Sequence, residues 1–271
     1  MKKITLLYAA LFMVAAAFAQ EKPKTDAAAA DALAKQLQNP IASLISVPIQ
    51  GNFDFGYDPN SGSRILVNIQ PVIPLSISED WNLITRIILP VVSQTDIYGS
   101  SGNQFGLGDV TMSAFFSPKA PTSKGLIWGV GPVFVVPTAT DKLLGAEKFG
   151  VGPTAIGLMQ VGKITVGLLF NHVWSVAGSA TRADINNSFF QPFLAKNFPG
   201  GYAVSLNTEL SQNWDAKATT GTINIGGSKV IAIGKQRAQI AFGPRIPYGN
   251  GNNSDWGFRA QFTLLFPAGA K

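Results

Sequence analysis

The 271-residue chain could form one large domain or two small ones, and its composition is unusual for a soluble protein. Charged residues make up only 13% against 46% hydrophobic residues, whereas soluble domains carry about 25% charged residues. The absence of cysteine excludes a disulfide framework or a thiolate metal site, and a net charge of +6 is too small to indicate nucleic-acid binding.

The mean hydropathy of +0.20 is high, yet the apolar residues are spread along the chain. Beyond the first twenty residues, no segment has the roughly 18 consecutive apolar residues that a membrane-spanning helix needs. Lipid offers no hydrogen-bond partner to the backbone, so a membrane protein without such helices must be a closed barrel. The composition therefore favours a transmembrane β-barrel.

Residues 1–19 are predicted to be a secretory signal peptide. Lys2 and Lys3 precede the apolar run Ile4 to Phe18, and Ala17-Phe18-Ala19 forms a small-residue cleavage site before Gln20. The alternative, an uncleaved membrane anchor, is disfavoured because the apolar run is short and ends in small residues.

Residues 20–48 are predicted to be a periplasmic helical segment. Ala27 to Leu37 is rich in helix-forming residues, and Asn39-Pro40 ends that helix. A short apolar piece, Ile41 to Val47, follows. The segment is too small to fold alone, so we expect it to lie in the periplasm or to plug the mouth of the barrel.

Residues 49–267 show the period-two alternation of half-buried strands. In the last strand, for example, Phe258, Ala260 and Phe262 share one face, while Arg259 and Gln261 share the other. Repeated segments of about ten such residues are typical of a transmembrane barrel. The predicted fold class is an all-β, antiparallel barrel of about 12 strands, with residues 268–271 as a tail and strands near 49–57, 64–77, 81–92, 107–117, 126–137, 148–159, 163–175, 186–197, 201–211, 221–233, 236–246 and 256–266.

The lengths of the connections support the barrel. Tight turns such as Pro199-Gly200 and Gly234-Lys235 alternate with longer loops such as Ser93 to Phe105 and Thr138 to Glu147. Outer-membrane barrels pair short periplasmic turns with longer extracellular loops, and an even strand number places both termini in the periplasm. The alternative is a secreted β-sandwich, which alternates similarly but normally carries more charge.

A channel needs a polar lumen whose charged groups and width set its selectivity. Four predicted inward-facing arginines against three acids would make the lumen slightly basic and mildly favour anions. These groups could instead pair across the lumen, and a 12-stranded barrel could be narrow or plugged as readily as open. The inward candidates are Asp54, Asn68, Gln70, Asn82, Arg86, Asp109, Glu209, Arg237, Gln239, Arg245 and Arg259.

Catalysis and metal binding have little support in the sequence. The single histidine, His172, shares parity with Phe170 and Trp174 and should face lipid, where it fits an aromatic girdle. No serine motif accompanies it, so we predict no catalytic residue, no metal site and no cofactor.

Two Gly-Val-Gly-Pro copies, Gly129 to Pro132 and Gly150 to Pro153, lack the helix and lysine of a phosphate loop and should let strands bend or accommodate a plug.

Four stretches resemble bacterial outer-membrane proteins of the phenol-degradation meta-pathway transporter type, often labelled "neuromedin U". They are LAKQLQNPIASLISVPIQGNFDFG (33–56), QPFLAKNFPGGY (191–202), GGSKVIAIGKQ (226–236) and DWGFRAQFTLLFP (255–267). The resemblance implies an outer-membrane barrel with a transport role and carries over no catalytic residues. One departure is the end of the chain, where Phe266 is followed by PAGAK rather than ending the last strand.

These observations predict a Gram-negative outer-membrane channel for passive movement of small solutes, with hydrophobic or aromatic solutes suggested only by the family label. The expected partners are outer-membrane lipid and lipopolysaccharide, the barrel-assembly machinery and a small-molecule solute, with no nucleic acid. The alternatives are a closed structural barrel that supports the envelope and, with less support, a barrel enzyme that hydrolyses lipid.

Overall fold

A computed structural model describes residues 24–98, 102–252 and 254–267. The predicted signal peptide and the C-terminal tail lie outside these residues. Within them are one helix and fourteen β-segments: α1 (Lys24–Leu37), β1 (Leu44–Tyr57), β2 (Gly62–Ile69), β3 (Val72–Ser76), β4 (Trp81–Thr95), β5 (Asn103–Leu107), β6 (Val110–Pro118), β7 (Leu126–Val136), β8 (Lys148–Val161), β9 (Ile164–Gly178), β10 (Asn186–Phe198), β11 (Tyr202–Asn213), β12 (Ala218–Ile233), β13 (Gln236–Tyr248) and β14 (Trp256–Pro267).

The β-segments form one closed antiparallel barrel of twelve strands. Segments β2 and β3 both pair with β4 and together make one barrel strand, interrupted at Gln70-Pro71. Segments β5 and β6 likewise make one strand, interrupted at Gly108-Asp109. The last segment, β14, pairs with β1 from Leu44–Pro267 to Phe55–Trp256, which closes the sheet. The predicted twelve-stranded antiparallel barrel is therefore confirmed.

The alternation predicted from the sequence separates the two faces of the wall. On the outer face, Phe242 and Val204 are 62% and 50% exposed. On the inner face, Thr263 and Thr165 are each only 1% exposed. An outward apolar and inward polar surface is the arrangement that a barrel in lipid requires.

The first strand begins earlier than predicted. We placed its start at Ile49 and assigned everything up to residue 48 to the helical segment, but β1 begins at Leu44. Residues 44–48 continue the ladder with β14, from Leu44–Pro267 to Pro48–Thr263. The partner strand supplies hydrogen bonds there that a single sequence does not reveal, which corrects the boundary by five residues.

The barrel has two distinct ends. Short connections join β3 to β4, β8 to β9, β10 to β11 and β12 to β13 at one end, which we call the short-turn end. Longer connections, including residues 137–147 and 249–255, lie at the opposite, long-loop end. The helix α1 precedes β1 at the short-turn end. Within the described ranges, no helix is both long enough and apolar enough to cross a membrane.

Glycine-proline pairs interrupt the wall at three places. Gly131-Pro132, Gly152-Pro153 and Gly243-Pro244 each coincide with a gap in the ladder to the neighbouring strand. Proline has no N–H to donate, and the neighbouring strand closes in on the glycine instead. A Cβ atom on any of these glycines would overlap a backbone carbonyl oxygen, that of Ala114, His172 or Ile225.

Candidate functional site

The N-terminal segment, residues 24–43, is bound to the inside of the barrel at the short-turn end. Ala34 is fully buried and Ala30 is 7% exposed, and both pack with Leu44, Val230 and Leu265. The small alanine side chains let the helix approach the wall closely. The position of a Cβ on Gly201 would lie 2.9 Å from Cβ of Ala30, so glycine leaves the space that the helix fills.

Polar contacts hold the same segment at several points. The carboxylate of Asp31 accepts a hydrogen bond from the backbone N–H of Gly201 at 2.6 Å. Gln160 donates to the backbone carbonyl of Lys35 at 2.9 Å, and Asn82 donates to the hydroxyl of Ser43 at 3.2 Å. These partners lie on different strands and turns, so the segment bridges across the barrel end.

Beyond the helix, the chain enters an apolar cluster inside the lumen. The side chain of Asn39 accepts a hydrogen bond from the N–H of Ile41, which fixes the turn after the helix. Ile41 is then 4% exposed and packs among inward side chains from four segments, namely Ile84, Phe115, Ile156, Leu158 and Leu169. Gly129 leaves room for it, because a Cβ there would lie 3.4 Å from the Cδ1 of Ile41. The N-terminal segment therefore has apolar contacts with two opposite parts of the wall.

Charged side chains pair with one another inside the barrel. Arg259 donates to both carboxylate oxygens of Glu209, at 2.9 and 2.8 Å. Arg245 donates to Asp54 at 2.8 and 3.3 Å and lies 3.7 Å from Glu209. Bidentate arginine–carboxylate pairs of this kind are strong and directional. We call these four residues the charge network.

Arg86 lies beside the charge network on β4 and has a different environment. Its guanidinium donates to Gln70 at 2.7 Å. Among the described residues, no carboxylate lies within ion-pairing distance of it. Three arginines thus face two acids, and the excess positive charge of the group resides on Arg86.

The other predicted lumen residues lie apart from this group. Asn68 is on the inward phase of β2, opposite Gln50. Arg237 is on the inward phase of β13, two residues before Gln239. Asp109 lies at the interruption between β5 and β6, close to the long-loop end. The structure therefore brings together Asp54, Arg86, Glu209, Arg245 and Arg259, and it does not bring Asn68, Asp109 and Arg237 into that set.

Asp109 is not part of the charge network; its carboxylate binds the backbone of a loop. Its two carboxylate oxygens accept hydrogen bonds from the backbone N–H groups of Ala139 and Ala146, at 3.1 and 2.6 Å. The hydroxyl of Thr140 accepts from the N–H of Leu107 at 3.0 Å. A Cβ on Gly106, on the inward phase of β5, would overlap Thr140. Loop 137–147 therefore folds over the inner surface of the barrel at the long-loop end.

An ion pair at the long-loop end joins the buried first residue of β8 to an exposed aspartate in the following loop. Lys148 lies 2.8 Å from Asp184. Hydrogen bonds from Lys148 and Ser175, together with the charge of Lys148, hold the pKa of the Asp184 carboxyl below its usual value. Asp184 is therefore ionised at neutral pH, and the pair is lost only as the pH falls below the usual range of a carboxyl.

The histidine on the outer face has a serine partner that sequence reasoning missed. Nδ1 of His172 lies 2.7 Å from the hydroxyl of Ser188, which also accepts a hydrogen bond from the indole of Trp214 at 2.9 Å. Nε2 of His172 is buried and has no hydrogen-bond partner. A serine nucleophile works through a base that a third group orients, and no such group contacts this imidazole in the described part of the chain.

The inward apolar residues were also missed, although the sequence contained a signal. Ile156 and Leu158 share parity with Thr154 and Gln160, which face inward, so the polar residues of β8 already fix the phase. Ile84 likewise shares parity with Asn82 and Arg86. The lumen is therefore divided into an apolar part, formed by the Ile41 cluster, and a polar part, formed by the charge network.

No protein-family model and no curated protein sequence matches the chain. Among solved structures, it is similar to an outer-membrane channel from Pseudomonas putida F1, with a TM-score of 0.62 at 16% identity over 82% of this chain and 94% of that one. This is the fold of an outer-membrane β-barrel. Outer membrane phospholipase A from Escherichia coli also matches, with a TM-score of 0.49 at 11% identity over 88% of this chain and 98% of that one. The β domain of the Bordetella autotransporter BrkA matches with a TM-score of 0.41 at 12% identity over 83% of this chain and all of that one.

Proposed function

We propose that the protein is an outer-membrane channel for small solutes and that its N-terminal segment closes the periplasmic end. The observation that carries this proposal is the position of residues 30–43, which contact both sides of the lumen through Ala34 and Ile41. Short turns are periplasmic in outer-membrane barrels, which assigns the short-turn end to the periplasm. Before β1 begins, no backbone–backbone hydrogen bond in the described part of the chain joins the segment to the wall, so the segment can leave without breaking the barrel ladder.

Two further points support transport. The sequence resembles phenol-degradation meta-pathway transporters in four stretches, which also suggests aromatic solutes. A cavity remains inside the barrel, between the N-terminal segment and the charge network.

A closed structural barrel is the second candidate, and it has its own support. The buried pair Asp54–Arg245 and the partly buried pair Glu209–Arg259 cross-link strands through the lumen, as a rigid scaffold would require. We propose no catalytic role for His172, because its serine partner is 4% exposed and is already bonded to Trp214.

Deleting residues 24–42 should distinguish the two candidates. Because the segment fills the periplasmic end, its removal should produce discrete conductance steps in planar bilayers, several-fold larger than any seen with the full chain. The deletion ends before Leu44 so that the ladder between β1 and β14 stays intact.

The control is the folded state of the deleted protein, which is read from the heat-modifiable mobility of the barrel on a gel. A folded deletion variant that stays silent would contradict the channel proposal and favour the structural barrel.

A further inference from the structure

A cavity of about 230 Å³ lies inside the barrel, against the inner side of the N-terminal segment. We call it the chamber. Its walls include two arginines, Arg86 and Arg259, and several neutral amides, among them Gln70 and Gln191. Among the residues that the structure describes, no aspartate or glutamate lines it, and Asp54 and Glu209 are paired with Arg245 and Arg259.

The two arginines of the chamber differ in how their charge is balanced. Arg259 is held by Glu209 through two hydrogen bonds and by Asn52 through a third. Arg86 donates to the amide oxygen of Gln70, and within the described ranges no carboxylate pairs with it, although the charge of Glu209 acts on it from a greater distance. In a low-dielectric interior a cation attracts an anion more strongly than in water, and the guanidinium fork matches a carboxylate. Arg86 is therefore the group of the chamber that is suited to an anion.

The rest of the chamber offers apolar contact. Val72 is the direct cross-strand partner of Arg86, so its side chain lies next to the guanidinium on the same strand pair. Leu37, Pro40 and Leu44 contribute from the N-terminal segment and the start of β1. A ligand bound to Arg86 would thus have its charged end at the arginine and an apolar body against these side chains.

We propose that the chamber binds a small organic carboxylate, with the carboxylate on Arg86 and the apolar body against Val72, Leu37 and Pro40. This rests on the proposed function, since it names the class of solute that the channel would carry. The size fits a small solute, because 230 Å³ is below the roughly 300–1,000 Å³ of pockets that hold drug-sized ligands.

The test is calorimetric titration of the full chain, folded in detergent and in a buffer free of carboxylates. The probes are benzoate, its neutral analogue benzamide, and chloride. We expect benzoate to bind, Arg86→Gln to weaken it at least tenfold, and Arg86→Lys to give an intermediate affinity because the charge remains but the fork is lost. The matched control, Lys124→Gln, removes the same charge from an exposed turn and should leave benzoate binding unchanged.

Three results would overturn the proposal: no benzoate binding, equal binding of benzamide, or displacement of benzoate by chloride at similar concentrations. Heat-modifiable mobility shows that each variant is folded. The outcome is separable from that of the channel proposal, because binding in detergent does not require conduction. If the deletion variant conducts but the full chain does not bind benzoate, only this inference is contradicted. If the folded deletion variant is silent but the full chain binds benzoate, only the channel proposal is contradicted.

Discussion

Replacing Gly152 with alanine should prevent the barrel from assembling or leave it severely destabilised. Gly152 precedes Pro153 on β8, where the neighbouring strand β9 comes close enough that a Cβ would overlap the carbonyl oxygen of His172. The atom in the way is backbone, so two wall strands would have to move apart. We expect a cost of roughly 3 kcal/mol or more, at or above the upper end for overpacking, measured by urea titration of the heat-modifiable species.

The same strand supplies the matched control. A Cβ on Gly157 would meet only the side chain of Leu126, at 3.8 Å, so Gly157→Ala should fold like the parent protein. If Gly152→Ala folded as well as Gly157→Ala, then β8 and β9 would not lie as close together at Gly152-Pro153 as described above.

Replacing Glu209 with glutamine should cost about 2–4 kcal/mol of stability, less than the roughly 3–5 kcal/mol measured when one partner of a fully buried ion pair is removed, because Glu209 and Arg259 are 24% and 13% exposed. Glu209 receives two hydrogen bonds from Arg259 and lies 3.7 Å from Arg245. Without it, Arg245 keeps Asp54, but Arg259 joins Arg86 as a lumen arginine that is not paired with a carboxylate. The measurement is the urea midpoint of the folded barrel at neutral pH.

Two controls accompany this prediction. Glu209→Gln combined with Arg259→Gln removes both charges and should recover part of the loss. Asp184→Asn breaks a pair in which the aspartate is 71% exposed and the lysine 9% exposed, and it should cost less than Glu209→Gln because water solvates the aspartate. A double variant that is less stable than Glu209→Gln alone would show that the pair is not what stabilises this part of the lumen.

The strands could be read from the sequence because lipid and lumen impose opposite chemistry on alternate residues. Each predicted strand overlaps one strand of the barrel. The outward-facing residues of β14, Phe258, Phe262 and Phe266, can be predicted from the sequence of that strand alone, without knowing which strands are its neighbours. The strand ends were harder, since Leu44 to Pro48 become strand only through their pairing with β14.

The candidate site was readable only in part. Parity placed Asp54, Glu209 and Arg245 on inward phases, but it does not say which side chains meet across a lumen. The pairing of Arg245 with Asp54 joins residues 191 positions apart, and it leaves Arg86 as the excess charge. The sequence around Ile41 does not predict where its side chain packs, because a short apolar piece after a helix is compatible with many environments.

The most direct test of a channel closed by its N-terminal segment is a disulfide that locks the segment in place. Ala30 and Val230 lie in one buried cluster, and their Cβ atoms lie 2.9 and 3.2 Å from the position of a Cβ on Gly201, which places them within disulfide reach after a small adjustment; the natural chain contains no cysteine. Bilayer conductance of Ala30→Cys/Val230→Cys would be recorded before and after reduction, with Ala30→Cys alone as the control. We expect a silent barrel when the disulfide is formed and channel openings after reduction. Openings with the disulfide intact, or silence in both states, would contradict it.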